Sequence, residues 1–511
     1  MLWIWIGGIA LALVVLVAIH DVTQKKHAIL RNFPVLGHFR YLIESLGPEL
    51  RQYIVAGNDE ERPFNRDQRS WIYSSSKSEN NYFGFGSDSE MELSSNYLII
   101  NHNTFPLISP HVGEPGFDPK YRIPCAKVLG GFRQRKKAFR PASIVNISGM
   151  SYGSLSGPAV EALNKGAATA GCLQNTGEGG ISPHHLHGGD LVWQIGTGYF
   201  GSRSQDGSFS MDRLLETIAK YPQVKTIELK LSQGAKPGAG GILPQSKITP
   251  EIAAIRGISM DHDCVSPAAH TAFRDPDSLL DFVERIADET GLPIGIKSAV
   301  GQMDFWHDLS RLIDTTGRAP DFITIDGGEG GTGAGPLVFG DHVARPFKKG
   351  FSLIECALRD RGLSQKIVMV GSGKLGFPES SLFAFALGCD MINVAREAML
   401  AVGCIQAQKC HTNHCPTGVA TQNRWLVRGL DPTLKSARVA NYLLNLRKEI
   451  IALSRACGVP HPALVTADFL EIMDGHFGAR TVSEVFGYKS GYGTPSEIDQ
   501  LQIAALMQNA S

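Results

Sequence analysis

From Leu2 to Ile19 the chain carries no charged side chain and almost no polar one. As a helix this run would extend roughly 27 Å at 1.5 Å per residue, the depth of a bilayer's hydrocarbon core. The pattern therefore predicts one transmembrane helix, an anchor over residues 1–24. A basic stretch before the run and a small-x-small site after it would mark a cleaved signal peptide, and neither is present. Lys25, Lys26 and Arg31 lie just past the apolar run, and the positive-inside rule then keeps the long C-terminal part in the cytoplasm as a single-pass membrane protein. A buried core helix, the competing reading, would need a shorter apolar run.

Residues 25–142 alternate short apolar runs with Pro, Gly, Ser and Asn, which predicts an irregular N-terminal cap region, with Tyr73 to Phe85 partly extended. From about Ala142 the rhythm changes: short β-branched runs are each followed by a glycine-rich turn and a segment of helical period. The candidate strands are Ile144 to Ile147, Cys172 to Asn175, Thr226 to Leu231, Asp263 to Ser266, Ile294 to Lys297, Phe322 to Ile325, Ile367 to Val370 and Met391 to Val394. Helical segments such as Gly157 to Ala170, Pro276 to Thr290, Phe305 to Thr315 and Pro378 to Leu387 separate them. Strands alternating with helices imply parallel pairing through right-handed crossovers. Eight such units predict an α/β fold, a TIM (β/α)8 barrel over residues 143–425, followed by a helical C-terminal extension over 426–511 that includes Ser436 to Ala456.

Charge changes this picture little. Lys plus Arg and Asp plus Glu both number 49, so the balance offers no pull toward nucleic acid. Cys125, Cys172, Cys264, Cys356, Cys389 and Cys457 are scattered singly in apolar settings, which suits reduced, buried thiols.

The remaining cysteines break that pattern. Cys404, Cys410 and Cys415 fall within one short stretch, with His411 and His414 between the last two and Pro416 directly after. Thiolates bunched in this way suit metal, and Cys-Pro closing the run suits an iron–sulfur site. Three sulfurs would give one thiolate per iron in a [3Fe-4S] cluster. A zinc site completed by His411 or His414 and thiols packed as small hydrophobes are the alternatives.

The predicted strand ends carry the other unusual stretches. Glycines follow the first strand at Gly149 and Gly153, the second at Gly177, Gly179 and Gly180, the sixth at Gly327 to Gly333 and the seventh at Gly371 and Gly373, while Arg396 follows the eighth. Loops after strands seven and eight commonly hold a phosphate in barrels, because glycine lets backbone amides approach an anion. Lys230, Lys236, Lys297 and Lys374 sit at or beyond strand ends, and a cation beside such a phosphate site fits a flavin mononucleotide (FMN) pocket; solvated surface lysines are the plainer reading. Arg256 would pair with a carboxylate, a structural arginine being the plainer reading, and Glu178, set among glycines, would touch a polar ligand. His184, His185 and His187 lack a carboxylate at ligand spacing and fit a helix start or loop better than a metal site.

Residues 143 to about 425 resemble the synthase domain of glutamate synthase. The resemblance rests on Ile147 to Ser151, Asn175 to Gly180, Gln233 to Gly238, Gly330 to Ala334 and the run from Cys410 to Gln422 with Cys404 before it. It implies FMN and a [3Fe-4S] cluster on Cys404, Cys410 and Cys415, with electrons passing between them. It implies that Lys230, Gln233 and Lys236 face flavin and substrate, that Glu178 touches an imino intermediate, and that Arg256 binds the carboxylate of a 2-oxoacid. Met150 and Ser151 would form the wall after the first strand. Lys297 would approach the flavin, and Gly328, Gly330, Gly331, Thr332, Gly371, Gly373 and Arg396 would hold its ribityl phosphate.

The pattern departs from the family at both ends. No N-terminal cysteine of a glutaminase domain and no NADPH module is recognisable. The expected function is thus reductive amination of 2-oxoglutarate or a related 2-oxoacid by a membrane-anchored oxidoreductase acting on CH-NH2 donors. An amine donor, a ferredoxin or reductase as electron donor, and a separate amidotransferase subunit would be its partners, without nucleic acid. An amine or glutamate transferase is the alternative, as is an electron-transfer or scaffold subunit, although a pure carrier would not need Glu178, Lys230 and Arg256 together.

Overall fold

The computed structural model describes residues 1–24, 27–82 and 84–509, in two compact units, Met1–Ser70 and Trp71–Ser511. Lys25, Lys26 and Phe83, which figure in the expectations above, lie outside the described residues.

In the first unit the apolar run is one helix, α1 (Leu2–Thr23), long and apolar enough to cross a membrane and with none of its apolar window buried. Two further helices follow, α2 (Ala28–Asn32) and α3 (Leu36–Leu50).

The second unit is built on a closed barrel of eight parallel strands. These are β1 (Val145–Ile147), β2 (Gln174–Asn175), β3 (Leu191–Ile195), β4 (Val224–Lys230), β5 (Ile294–Ala299), β6 (Phe322–Asp326), β7 (Val368–Ser372) and β8 (Met391–Val394). Local signals set the crossover helices. Gly157–Ala170 starts at Ser156, whose hydroxyl accepts the Ala159 amide at 3.3 Å, and stops at Gly171, which takes a left-handed conformation at φ 69°. Pro276–Thr290 starts on a capping box at Asp275 and ends at Gly291, φ 70°.

One strand assignment fails. Asp263 to Ser266 contains a strand, Cys264–Val265, but it pairs antiparallel with Ile242–Leu243 outside the barrel. The missing stave is β3, whose Trp193 and Ile195 are fully buried. No α-helix separates β2 from β3, only a 3-10 turn at Pro183–His185, so the strand–helix rhythm passes over it. The same rhythm promotes Cys264–Val265, which follows the helix Pro250–Arg256.

Tyr73 to Lys77 is also helical rather than extended, as the end of Arg66–Lys77. Packing decides this. Asn441 Nδ2 donates to Ser76 O at 3.1 Å and Asn445 Nδ2 to Ser75 Oγ at 3.1 Å, while Trp71 stands edge-on to Tyr442. Those partners lie on the long C-terminal helix Pro432–Ala456, which also packs on Gly157–Ala170 so closely that a Cβ on Gly166 would fall 2.6 Å from Val439. The C-terminal extension is mostly helical but adds two strands, Leu470–Met473 and Ala479–Thr481, and the first of them pairs with Leu98–Ile100. Segments before and after the barrel thereby share one small sheet.

Candidate functional site

Side chains alternate across a strand, so Thr226, Glu228 and Lys230 of β4 share one face. That face points into the barrel: Glu228 accepts Asn175 Nδ2 at 2.8 Å and Gln194 Nε2 at 3.2 Å, from β2 and β3. Burial pushes the Glu228 carboxyl up, against the pull of Lys297. Glycine makes room for this layer, since a Cβ on Gly149 would lie 2.8 Å from Asn175 Oδ1 and 3.0 Å from Gln194.

Above that layer, at the C-terminal ends of the strands, Glu178 Oε1 meets Lys230 Nζ at 3.0 Å and Lys236 Nζ at 3.7 Å. Burial would raise the Glu178 carboxyl, yet Lys230, Lys236 and Arg256 together hold it down at about 2. Gly196 and Gly241 flank it, and a Cβ on either would come within 2.8 Å of its side chain. Lys230 also donates to Gln233 Oε1 at 3.0 Å, and Lys236 donates to Gly240 O at 3.0 Å. Burial lowers Lys236 below the ordinary lysine range despite its acidic partner. Arg256 is buried over the Phe200 ring and donates to Tyr152 O at 3.1 Å, while its Nε has no hydrogen-bond partner among the described residues. An unspent buried guanidinium donor suits an incoming carboxylate.

Across the barrel Lys297 pairs with Asp326 at 3.4 Å. Burial lowers the lysine, but Asp326 and Glu228 outweigh it, so Lys297 stays charged. Asp326 in turn accepts the Gly234 amide at 2.8 Å, and a Cβ on Gly234 would fall 1.9 Å from Gly327 O. The loops after β4 and β6 therefore touch backbone to backbone.

The glycine loops after β6 and β7 converge on Phe347 and Arg396. Arg396 is partly buried and donates to Glu329 O. A Cβ on Gly331 would press on Arg396 at 3.0 Å, one on Gly371 on Phe347 at 2.9 Å, and Gly373 adopts φ 140°. This cradle, with a partly buried guanidinium and close-packed glycines, fits a phosphate. Glu329 shares it. Its carboxylate accepts the Phe347 amide at 2.8 Å, at the start of the helix Phe347–Arg359, and burial pushes it up toward its neutral form.

The cysteine loop lies against the same machinery. A Cβ on Gly333 would sit 3.1 Å from Cys410, and Gln422 Nε2 donates to Leu155 O at 2.8 Å. Lys247, buried, donates from one ammonium to Cys410 O at 2.8 Å, Ala420 O at 3.0 Å and Ser154 O at 3.2 Å. Burial raises the Cys415 thiol, but the amides of Ala420, Thr417 and Val419 and the Thr417 hydroxyl outweigh it and leave it below the ordinary thiol range. The Gln406 amide reaches Cys404 Sγ at 3.4 Å. Thiols fed by backbone N–H groups are the donor chemistry an iron–sulfur cluster uses. Lys247 feels both Cys410 and Cys415, whereas no three His, Cys, Asp or Glu side chains converge as a metal group among the described residues.

The structure thus brings Glu178, Lys230, Gln233, Lys236 and Arg256 into one cluster, with Met150 and Ser151 half-buried on the loop after β1. A Cβ on Gly177 would fall 2.5 Å from the Ser151 amide. Lys297 stands below. Gly328, Gly330, Gly331, Gly371, Gly373 and Arg396 form the second cluster, and Thr332 is exposed at its edge. His185 belongs to neither: it completes a capping box with Ser182 at the 3-10 turn. Sequence reasoning missed Asn175, Gln194, Glu228, Asp326, Glu329 and Lys247 as site residues. For Glu228 a signal existed, since an acid two residues before Lys230 in a strand shares its face.

Residues 127–460 match the family model described as a conserved region in glutamate synthase. The chain is 38% identical over 486 residues to the glutamate synthase large subunit-like protein YerD of Bacillus subtilis, covering 89% of this chain and 92% of that one. It is 34% identical over 322 residues to the archaeal glutamate synthase [NADPH] of Methanocaldococcus jannaschii, covering 62% of this chain and 59% of that enzyme. A glutamate synthase large subunit-like protein of Rhizobium meliloti is 30% identical over 359 residues, 67% of this chain and 77% of that one.

Proposed function

Because the chain belongs to the glutamate synthase family, we propose that it is a glutamate synthase-like oxidoreductase that reductively aminates 2-oxoglutarate or a related 2-oxoacid. The observation that carries this reading is the cluster of Lys230, Lys236 and Arg256 around the single carboxylate of Glu178. Three cations against one anion leave a net positive, dehydrated mouth, which favours a substrate bearing carboxylates.

In this reading the barrel residues would hold FMN, with the ribityl phosphate between Gly328, Gly330, Gly331, Gly371, Gly373 and Arg396, and the thiols of Cys404, Cys410 and Cys415 would be the ligands of a [3Fe-4S] cluster. FMN bound there would supply the hydride that reduces an imine, and a cluster on those thiols would pass electrons singly from a ferredoxin or reductase. Arg256 binds the carboxylate next to the reacting carbon and fixes its orientation. Glu178, ionised, accepts a hydrogen bond from the amine or imine nitrogen and holds it against that carbon. Lys236, whose proton is loosened by burial, gives a proton to the nitrogen as it becomes an amine, and Lys230 with Gln233 keeps Glu178 in place. Lys297 keeps positive charge at the floor of the site. The amine arrives as ammonia or from a separate amidotransferase subunit.

We read α1 as a membrane span that keeps the chain after it in the cytoplasm.

The test is anaerobic stopped-flow. The purified protein, assayed for flavin and iron, is reduced and mixed with single 2-oxoacids plus ammonia. Reoxidation of flavin by 2-oxoglutarate and ammonia, but by neither alone, supports the reading; a flavin-free protein, or a flavin that no 2-oxoacid reoxidises, overturns it.

A further inference from the structure

The first unit carries an apolar face outside α1. In α3, Leu36, Phe39, Leu42, Ile43, Leu46 and Leu50 are between 44% and 75% exposed. At about 100° per residue these positions fall within an arc of about 120°. His38, Arg40, Glu44, Ser45 and Glu49 all fall outside it. Arg40 and Glu44 pair with each other across one turn at 3.2 Å, and the polar face is formally near neutral.

The junction between α1 and α3 fixes where that face lies. Asp21, in the last turn of α1, is fully buried and accepts the Val35 amide at 2.8 Å and His38 Nε2 at 2.9 Å. Val35, the residue before α3, is held at φ 65°, a conformation β-branched residues rarely adopt. Gly37 faces Leu30 of α2 at a distance that a Cβ would close to 2.9 Å. The start of α3 is thus pinned to the last turn of α1. From Leu2 to Asp21 a helix rises roughly 29 Å, so that turn emerges where hydrocarbon gives way to headgroups.

Resting on the reading of α1 as a membrane span, we propose that α3 is an interfacial helix that docks on the lipid surface, its Phe39–Leu42–Leu46 face in the acyl boundary and its Arg40–Glu44 face in water. Continuity with α1 selects lipid as the occupant over a protein groove. A face this apolar, held at interface depth by a buried carboxylate, removes its area from water by lying flat on the bilayer. With a near-neutral polar face, attachment rests on apolar burial rather than on anionic headgroups, and it restricts the swing of the chain that α1 tethers.

A nitroxide-bearing unnatural amino acid placed singly in the full-length protein, in phosphatidylcholine vesicles, tests this and avoids the native cysteines. Relaxation by oxygen, which concentrates in lipid, is compared with relaxation by an aqueous nickel chelate. Labels replacing Phe39, Leu42 and Leu46 are expected to favour oxygen, and labels replacing Arg40, Glu44 and Ser45 to favour nickel, with a period of 3.6 residues. A label at Val14 in α1 is the control. If Val14 favours oxygen while the α3 labels all favour nickel, or are shielded from both reagents, α3 does not lie on lipid and the proposal fails with the span intact. If Val14 itself favours nickel or is shielded, the span reading fails and the proposal with it.

Discussion

Glu178 Oε1 and Lys230 Nζ stand 3.0 Å apart at the mouth of the barrel, joining the loop after β2 to the end of β4. The pair is buried enough to bias protonation: burial alone would favour the neutral acid, but Lys230 and Lys236 keep the folded value at about 2. A carboxyl depressed on folding adds stability that is present above its unfolded value near 4.5 and is lost as pH falls through about 2. Glu178→Gln keeps the shape, removes the charge and frees Lys230. It should retain bound cofactors and slow imine-dependent flavin reoxidation on the order of 10²-fold or more. Stopped-flow on the reduced variant, with flavin and iron counted beforehand, checks this; an unchanged rate removes Glu178 from the reaction.

Gly234→Ala probes the backbone contact between the loops after β4 and β6. The new methyl would be placed 1.9 Å from Gly327 O and 2.9 Å from Asp326 O, neither of them a side chain that can turn away. The loops must separate, breaking the Gly234 amide's bond to Asp326 and displacing the partner of Lys297. Strain of this kind costs about 1–3 kcal/mol or more. A clearly lowered thermal midpoint together with weaker flavin retention is expected. A midpoint equal to the parent's would show that the loops adapt.

Most of the barrel was legible because its signals are local: Met391–Val394 and Gly157–Ala170 fall at their expected bounds, marked by β-branched runs and by Ser156 and Gly171 caps. β3 was not, since its neighbour in sequence is a turn rather than a helix and Gln194 breaks the apolar run. The candidate site was legible where glycines flank a charge, as at Glu178. Asp326, Glu228 and Lys247 were not, because each acquires its meaning from residues about 30 to 170 positions away. The helical state of Tyr73 to Lys77 likewise depends on Asn441 and Asn445.

Glu355 gives a pH signature away from the site. Its carboxyl is buried in a small polar cavity with Lys127, Ser364 and Asp390, and Oε2 lacks a hydrogen-bond partner among the described residues. Burial raises it to about 7 despite Lys127 and Arg359. The folded state therefore holds a proton that the unfolded chain releases near 4.5. The associated stability is complete below that value and declines as pH rises toward 7, by at most about 3 kcal/mol. Glu355→Gln should flatten the decline, matching the parent's thermal midpoint at pH 5 and exceeding it at pH 8. Parallel curves for parent and variant would show that Glu355 does not titrate in this window.

Lys247 and Cys410 separate two ways of losing the cysteine loop. Cys410→Ser exchanges a thiolate for a poor ligand and should lose iron, and since Gly333 of the glycine loop packs against Cys410, the neighbouring flavin site should loosen with it. Lys247→Met removes no sulfur. It strips one ammonium from the carbonyls of Cys410, Ala420 and Ser154 at once, leaving the buried Ala420 acceptor unpaired at about 1–3 kcal/mol. The loop should then lose its fixed shape, and iron should leave faster under chelator although every thiol is retained. Lys247→Arg keeps the charge but not the compact three-way geometry, so it should fall between parent and Lys247→Met. Iron counted against time in chelator, with flavin absorbance recorded in parallel, orders the four proteins. If Lys247→Met holds iron as long as the parent, Lys247 is not what shapes the loop, whatever Cys410→Ser does.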